Sequence, residues 1–238
     1  VAVVLFTDRV GGVSEAPFDT LNLATHVGDD PAAVESNRAT VATRARVRLD
    51  RFVVLAAVSG GPVARVDASS PAEVGGVEAI VTTEPDLAVG VIAADCVPVL
   101  LADESGGVVG AAHAGRRGVE ARIVTDTVAD MVGLGARRDR IVAWVGPAIC
   151  GRCYEVGDDV AAQTLRIAPA AQSMTSWGTT ALDLPGAVVV ELTDAGIGDI
   201  RHQKRCTYED SSLYSFRRDG LTGRQASVIV LSTPGPES

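Results

Sequence analysis

The chain holds 238 residues, 47% of them hydrophobic and only 4% aromatic, with 25 glycines and 11 prolines. A chain of this length and make-up buries a substantial core of Val, Ala, Leu and Ile, as one large domain or two small ones. A formal charge of −9 excludes a general nucleic-acid surface, which needs a basic footprint, but leaves room for a small anion held by a few local arginines. No basic segment runs into an apolar leader and no apolar run is long enough to span a bilayer, so the cytoplasm is the expected location, without a membrane partner.

Residues 1–7 read as a strand. Residues 8–29 form a Gly-, Asp- and Asn-rich loop, long enough to be functional or disordered. Its Arg9-x-Gly11-Gly12-Val13 lacks the Gly-x-Gly-x-x-Gly spacing and the lysine of nucleotide-binding loops. Asp30-Pro31 is an N-cap followed by proline at the first helical position, and predicts a helix to about residue 45. The apolar runs 53–58, 78–83, 87–93 and 97–102, separated by turn residues, predict strands, and 107–113 a fifth. A helix to about residue 133 follows, then a strand over 141–145, helices over 156–167 and 185–195, and a last strand over 226–232. The tail beyond it is expected to fray. Several strands follow one another without an intervening helix. That favours an α+β architecture with mixed β-sheets flanked by helices, in a single domain over 1–238, over regular βαβ alternation.

Chemistry concentrates in 93–118. Cys96 lies in a turn between two strands, and His113 lies where a strand gives way to a helix, so both side chains stand at strand ends and can converge on one cleft. A thiolate and an imidazole are ligands for zinc, and equally a nucleophile with its base. The alternative is that Cys96 is a small core residue. Cys150-Gly151-Arg152-Cys153 is a Cys-x-x-Cys, but no second cysteine pair follows at zinc-ribbon spacing and Cys206 stands alone in sequence. A structural turn is expected there. His202 is expected at the surface, and His26 is expected either to order its loop through Asp29 or to face a pocket.

Asp95-Cys96-x-Pro98, followed by His113-Ala114-Gly115-x-Arg117-Gly118, resembles the signature of the YfiH-like family. Its members were once called multicopper polyphenol oxidases, or laccase-domain proteins, and are now read as purine nucleoside phosphorylases and deaminases. Motifs similar to the family's recur in order along the chain: Arg9-x-Gly11-Gly12-Val13-Ser14, Leu21-Asn22-Leu23, Asn37-Arg38, Trp144-Val145-Gly146-Pro147, Cys153-Tyr154-Glu155-Val156, Ser215-x-Arg217-Arg218-Asp219-Gly220 and Thr222-Gly223-Arg224.

The resemblance implies a catalytic zinc held by two histidines and a cysteine, with an arginine nearby. Carried over, the cysteine is Cys96, the second histidine His113 and the arginine Arg38. Ser59, in Ser59-Gly60-Gly61-Pro62-Val63, stands where the family's first histidine lies, and Arg116 stands in place of a tryptophan. His26 is the imidazole available to replace the missing ligand. Arg38, His26 and Arg117 are the expected substrate contacts. The implied substrates are a purine nucleoside (adenosine, inosine or methylthioadenosine) and phosphate, with a monomer or small homo-oligomer as the acting form. The older copper-oxidase reading needs more imidazoles than the chain's three histidines supply. Because of Ser59 and Arg116, a catalytically degenerate binding or regulatory protein and a metal-free Cys–His hydrolase stand as alternatives.

Overall fold

A computed structural model describes residues 1–56 and 60–232. The elements run, in chain order, β1 (Ala2–Phe6), α1 (Pro31–Arg44), β2 (Phe52–Ala56), β3 (Val63–Arg65), β4 (Glu73–Gly75), β5 (Ala79–Thr82), β6 (Ala88–Ala93), β7 (Val97–Asp103), β8 (Val108–Ala114), α2 (Arg116–Ala121), α3 (Ile123–Gly133), β9 (Val142–Val145), α4 (Asp158–Leu165), β10 (Gln172–Met174), β11 (Thr180–Leu182), α5 (Leu184–Asp194), β12 (Asp199–His202), α6 (Phe216–Asp219) and β13 (Gln225–Leu231). Ser59 and the tail expected to fray lie outside the described residues.

The larger strands form two mixed sheets. One has the order β1-β13-β6-β2-β4, the other β12-β9-β7-β8-β5-β3. Each combines antiparallel and parallel pairs, as β13 on β6 against β6 on β2, and β7 on β8 against β5 on β3. The sheets pack face to face through one shared apolar layer in which Leu55, Val89, Val91 and Ile229 of the first meet Leu100, Val109 and Ala111 of the second. β6, β7 and β8 are buried along nearly their whole length, which is why they read as continuous apolar runs rather than alternating ones. The outer face of the second sheet is covered by α2, α3 and α5, and that of the first by α1 with the N-terminal loop. The α+β expectation with mixed sheets holds, as four layers, helix–sheet–sheet–helix.

α1 begins where its cap predicts. The Asp30 carboxylate accepts the Ala32 N–H at 3.0 Å and Pro31 occupies the first turn. The long N-terminal loop is ordered by α1. Buried Asn37 donates to Ser14 Oγ (2.9 Å) and to the carbonyl of Asn22 (2.8 Å), and accepts from Val13 N–H (2.9 Å). Gly12 passes so close to Thr20 O and the Asn37 amide that no Cβ fits.

The single helix expected after His113 is two helices. Arg122 takes a left-handed conformation (φ +60°) between α2 and α3. The break turns Ile123, Val124, Thr127, Val128 and Met131 inward as one stripe. The free N–H of Thr125 in the first turn of α3 is satisfied from α5, by the Glu191 carboxylate at 2.8 Å. Burial raises the pKa of Glu191 despite this bond and a second from the Thr125 hydroxyl at 2.9 Å.

Candidate active site

The cleft forms where the chain crosses from one sheet to the other. β6 belongs to the first sheet and β7 to the second, and the crossover is Ala94-Asp95-Cys96. Asp95 is buried and holds φ +86°, a region that costs a non-glycine residue about 1–3 kcal/mol. Three bonds hold it there. Its Oδ1 accepts from Thr207 Oγ1 (2.6 Å), its Oδ2 from Arg217 N–H (2.7 Å), and its carbonyl from Ile149 N–H (2.9 Å). The result projects Cys96 toward β8.

Register brings the partners. Pro98 pairs with His113 across β7 and β8, and Ala79 pairs with Ala112 across β5 and β8. Glu78, one residue before β5, therefore lies beside His113. Its carbonyl accepts His113 N–H (2.9 Å), and its carboxylate Oε1 lies 3.1 Å from His113 Nδ1. Oε2 accepts from Gly60 N–H. Glu78 is fully buried. Burial alone would lower the pKa of His113, but the adjacent Cys96 and Glu78 outweigh it and push it up to about 10. Glycines make the room. A Cβ on Gly115 would sit 3.1 Å from His113 Cε1 and 3.2 Å from Cys96 Sγ, and one on Gly118 would meet His113 O at 2.8 Å. Gly115 thus floors a cradle over which the thiol and the imidazole converge.

Cys96 and His113 supply two donors of the kinds that hold zinc, of the three protein ligands a catalytic site takes. Cys96 Sγ and His113 Nε2 are the convergent atoms, and a carboxylate on the remote ring nitrogen is the usual partner of a metal-bound histidine. Ser59, expected at the vacant ligand place, lies outside the described residues.

The cleft encloses about 250 Å³ between His26, Ile92, Cys96, His113, Phe216 and Arg224. His26 and Phe216 are exposed to it. Asp29 does not order His26, since its carboxylate accepts from Ser14 Oγ (2.6 Å) and Asn22 Nδ2 (2.8 Å). Partial burial, with Arg224 and Arg38 nearby, keeps His26 below its ordinary pKa. Arg224 donates to the carbonyls of Thr222 (2.8 Å) and Gly223 (2.9 Å) and lies 5.6 Å from the Phe216 ring centre. Burial lowers its pKa as well, so it is a partly desolvated cation at a cleft wall. The sequence points to Arg224 only through Thr222-Gly223-Arg224, and to Glu78 only as a lone carboxylate heading an apolar strand.

The other expected substrate contacts stand back from this wall. Arg38, on α1, bonds Leu23 O (2.9 Å) and pairs with Glu73 at 2.7 Å. Arg117 is exposed on the first turn of α2, and the neighbouring Arg116 pairs with Glu120 at 2.6 Å. Arg217 lies over the Tyr154 ring at 5.0 Å, and Arg218 gathers the carbonyls of Thr207, Asp210 and Leu213. His202 is half-buried on β12 beside a separate recess of about 270 Å³ that Cys150 and Cys206 also line.

The Cys-x-x-Cys forms the structural turn expected, but it does not stand alone. Cys206 and Glu209 fold back onto it, so that Cys150, Cys153, Cys206 and Glu209 place their ligand atoms within 4.8 Å of one another, a grouping able to hold a metal ion. All three cysteines are free thiols. Burial, together with the neighbouring thiols, pushes the pKa of both Cys153 and Cys206 up.

The two-sheet fold recurs among known proteins. Residues 3–232 match the multi-copper polyphenol oxidoreductase laccase family. The fold superposes on Bacillus licheniformis YfiH with a TM-score of 0.90 at 31% identity, covering 97% of this chain and 93% of that one. It superposes equally, with a TM-score of 0.90 at 34% identity, on YlmD from Geobacillus stearothermophilus, covering 98% and 92%. The chain belongs to this YfiH-type, laccase-domain family. Among its relatives is the purine nucleoside phosphorylase ORF3 of Streptomyces griseus, 47% identical over 228 residues, or 95% of this chain and 93% of that protein. A purine nucleoside phosphorylase of Streptomyces coelicolor is 48% identical over 227 residues, 95% of this chain and 94% of that one. No helix among the described residues is long and apolar enough to cross a membrane.

Proposed function

We propose that the chain is a purine nucleoside phosphorylase that also deaminates adenosine, with a purine nucleoside and phosphate as substrates and zinc as cofactor. The observation that carries this reading is the meeting of Cys96, His113, His26, Arg224 and an exposed aromatic ring in one cleft, in a chain whose relatives bear the phosphorylase name. Phe216 offers a face on which a purine base stacks. Arg224, with His26 beside it, receives phosphate through charge-assisted bonds, and a partly desolvated guanidinium binds an anion more strongly than one in water. Phosphate held against C1′ stabilises the positive charge that the sugar develops as the glycosidic bond breaks. Arg117 adds to the positive field behind the first contacts, while Arg38, its charge paired with Glu73, braces the loop at Leu23.

Cys96 and His113 hold the zinc, and Glu78 fixes the His113 tautomer so that Nε2 faces the cleft. Zinc bound there supplies a Lewis acid, the chemistry that hydrolytic deamination of a purine draws on. Copper-cluster oxidation is disfavoured by the placement of the three histidines, because His202 lines a different recess and leaves two imidazoles for the cleft.

The test follows base release from inosine and adenosine with and without phosphate. Ribose 1-phosphate, formed only when phosphate is present, is the expected product. Base release indifferent to phosphate would replace phosphorolysis with hydrolysis. A second reading, a metal-free hydrolase with Cys96 as nucleophile, draws support from the Cys96–His113–Glu78 alignment. It predicts that turnover survives complete removal of zinc.

A further inference from the structure

We propose that Cys150, Cys153, Cys206 and Glu209 form a second metal site, separate from the cleft, which takes zinc as a structural ion and clamps the two segments that hold the Asp95 turn.

The donors come from two stretches far apart in sequence. Cys150 to Cys153 is a tight turn closed by Cys153 N–H and Tyr154 N–H on Cys150 O, at 2.9 and 3.0 Å. Cys206 and Glu209 lie on the opposite segment, joined to the first by an isolated bridge between Ala148 and Cys206. The groups already touch. Cys150 N–H points at Cys206 Sγ (3.4 Å), and Cys153 Sγ donates to Glu209 Oε1 (3.5 Å).

Three thiols and one carboxylate make a set of four donors, the number that structural zinc takes, each of a kind that binds the ion. Ligand sulfurs around tetrahedral zinc stand about 3.8 Å apart. A cluster whose ligand atoms all lie within 4.8 Å closes on the ion by movements of about 1 Å or less. Cys153 and Cys206 are buried with Ile149 in a small apolar cluster that Tyr154 and Tyr208 help to cover. Softness of the donors selects zinc over magnesium or calcium. Glu209 is half-exposed and, among the described residues, its one salt-bridge partner is a loose one, Arg152 at 3.7 Å, so its carboxylate can turn further inward.

Each segment grips Asp95 one residue away from a ligand. Ile149, before Cys150, donates to the Asp95 carbonyl, and Thr207, after Cys206, donates to its carboxylate. An ion binding Cys150 and Cys206 therefore ties together the two segments that hold Asp95 at φ +86°. The site acts on the cleft as a support that fixes where Cys96 points, and it does not depend on the nucleoside reading.

The experiment is metal analysis and cobalt substitution in a Cys96→Ser background, which removes the thiolate of the cleft. About one zinc per chain is expected to remain after Cys96→Ser and to fall below about a tenth when Cys206→Ser is added. Cobalt(II) should show an intense thiolate charge-transfer band in the first variant and lose most of it in the second. If Cys206→Ser does not fold, the wild-type protein gives the same answer through a chelator titration, in which zinc release and the exposure of three further reactive thiols should coincide. Hydrogen exchange at the amides of 95–96 should then quicken, along with that at 149–153. A Cys96→Ser protein that binds no zinc or cobalt with its remaining thiols reduced would overturn the proposal. So would a disulfide between any two of the three cysteines in protein handled without reductant or oxidant.

Discussion

Two cysteine-centred groupings flank the Asp95 turn, and they are built to different specifications. In the cleft, Cys96 and His113 converge over Gly115 with open space before them, a carboxylate behind the imidazole and the Arg224 cation in the lining. In the second grouping, three thiols and a carboxylate crowd together within 4.8 Å, with Cys153 and Cys206 buried in a small apolar cluster and one side bordering the His202 recess. The difference is that between a ligand set left incomplete so that something else can enter and one that closes on itself. The first suits turnover and the second suits holding segments in place.

The sharpest way to break this comparison is to remove donors from each side. Cys96→Ala or His113→Ala should lower nucleoside turnover by more than the roughly 10–100-fold typical of losing a supporting residue, with little change in the unfolding midpoint. Cys153→Ser should do the reverse, lowering thermal stability while turnover falls only as far as Cys96 becomes misplaced. Equal effects on both readouts from both sides would erase the distinction.

Glu78→Gln probes the support behind the imidazole. It keeps the shape but loses the charge, and turnover or zinc affinity should drop about 10–100-fold, read by steady-state kinetics and competition with a chelating dye. Arg224→Ala should act on the opposite wall, raising the KM for phosphate about 10-fold or more, as expected for a charge-assisted bond of about 1.5–3 kcal/mol. The KM for nucleoside should change less. Gly118→Ala places a methyl against His113 O and Glu78 and should cost about 1–3 kcal/mol, measured by urea unfolding.

The smallest effect belongs to a control at the far end of β7. Burial by itself would raise the pKa of Asp103, but N–H bonds from Arg137 (2.8 Å) and Gly106 (2.9 Å), and the Ser105 hydroxyl, hold it below the usual 3.8. The folded state thus binds this proton less readily than the unfolded one. The carboxylate's contribution is fully present above the ordinary carboxylate range and is lost as pH falls through the folded pKa. Asp103→Asn should flatten the acid limb of a melting-temperature profile and leave both cysteine groupings unchanged.

Much of this was legible in the chain. The five apolar runs over 53–113 became β2 and β5 to β8, although the last residues of the first run lie outside the described residues. Asp30-Pro31 capped α1 as read, and Cys96 and His113 met at strand ends. What was hidden depended on tertiary partners. Arg122 gives no local sign of a left-handed turn, because the cap that makes the break tolerable is Glu191, from another helix. The strands β3, β4 and β10 to β12 hold only three or four residues each, too short for a period to declare itself. Glu78 gains its role from the register of β5 on β8, and Cys206 joins Cys150 and Cys153 through a bridge that no spacing rule anticipates. Arg38 read as a substrate contact, and its pairing with Glu73 required β4 to be placed first.

The hold on Asp95 bears on how this protein tolerates mutation. Two of its three grips, from Ile149 and Arg217, are main-chain amides. Side chains at those two positions can drift without breaking the bonds, since every residue but one carries the same N–H. Proline is the exception. A saturation library at 149 and 217 should therefore tolerate most substitutions at the level of the turn and reject proline at both, whereas Thr207, the only side-chain grip, should accept little beyond serine.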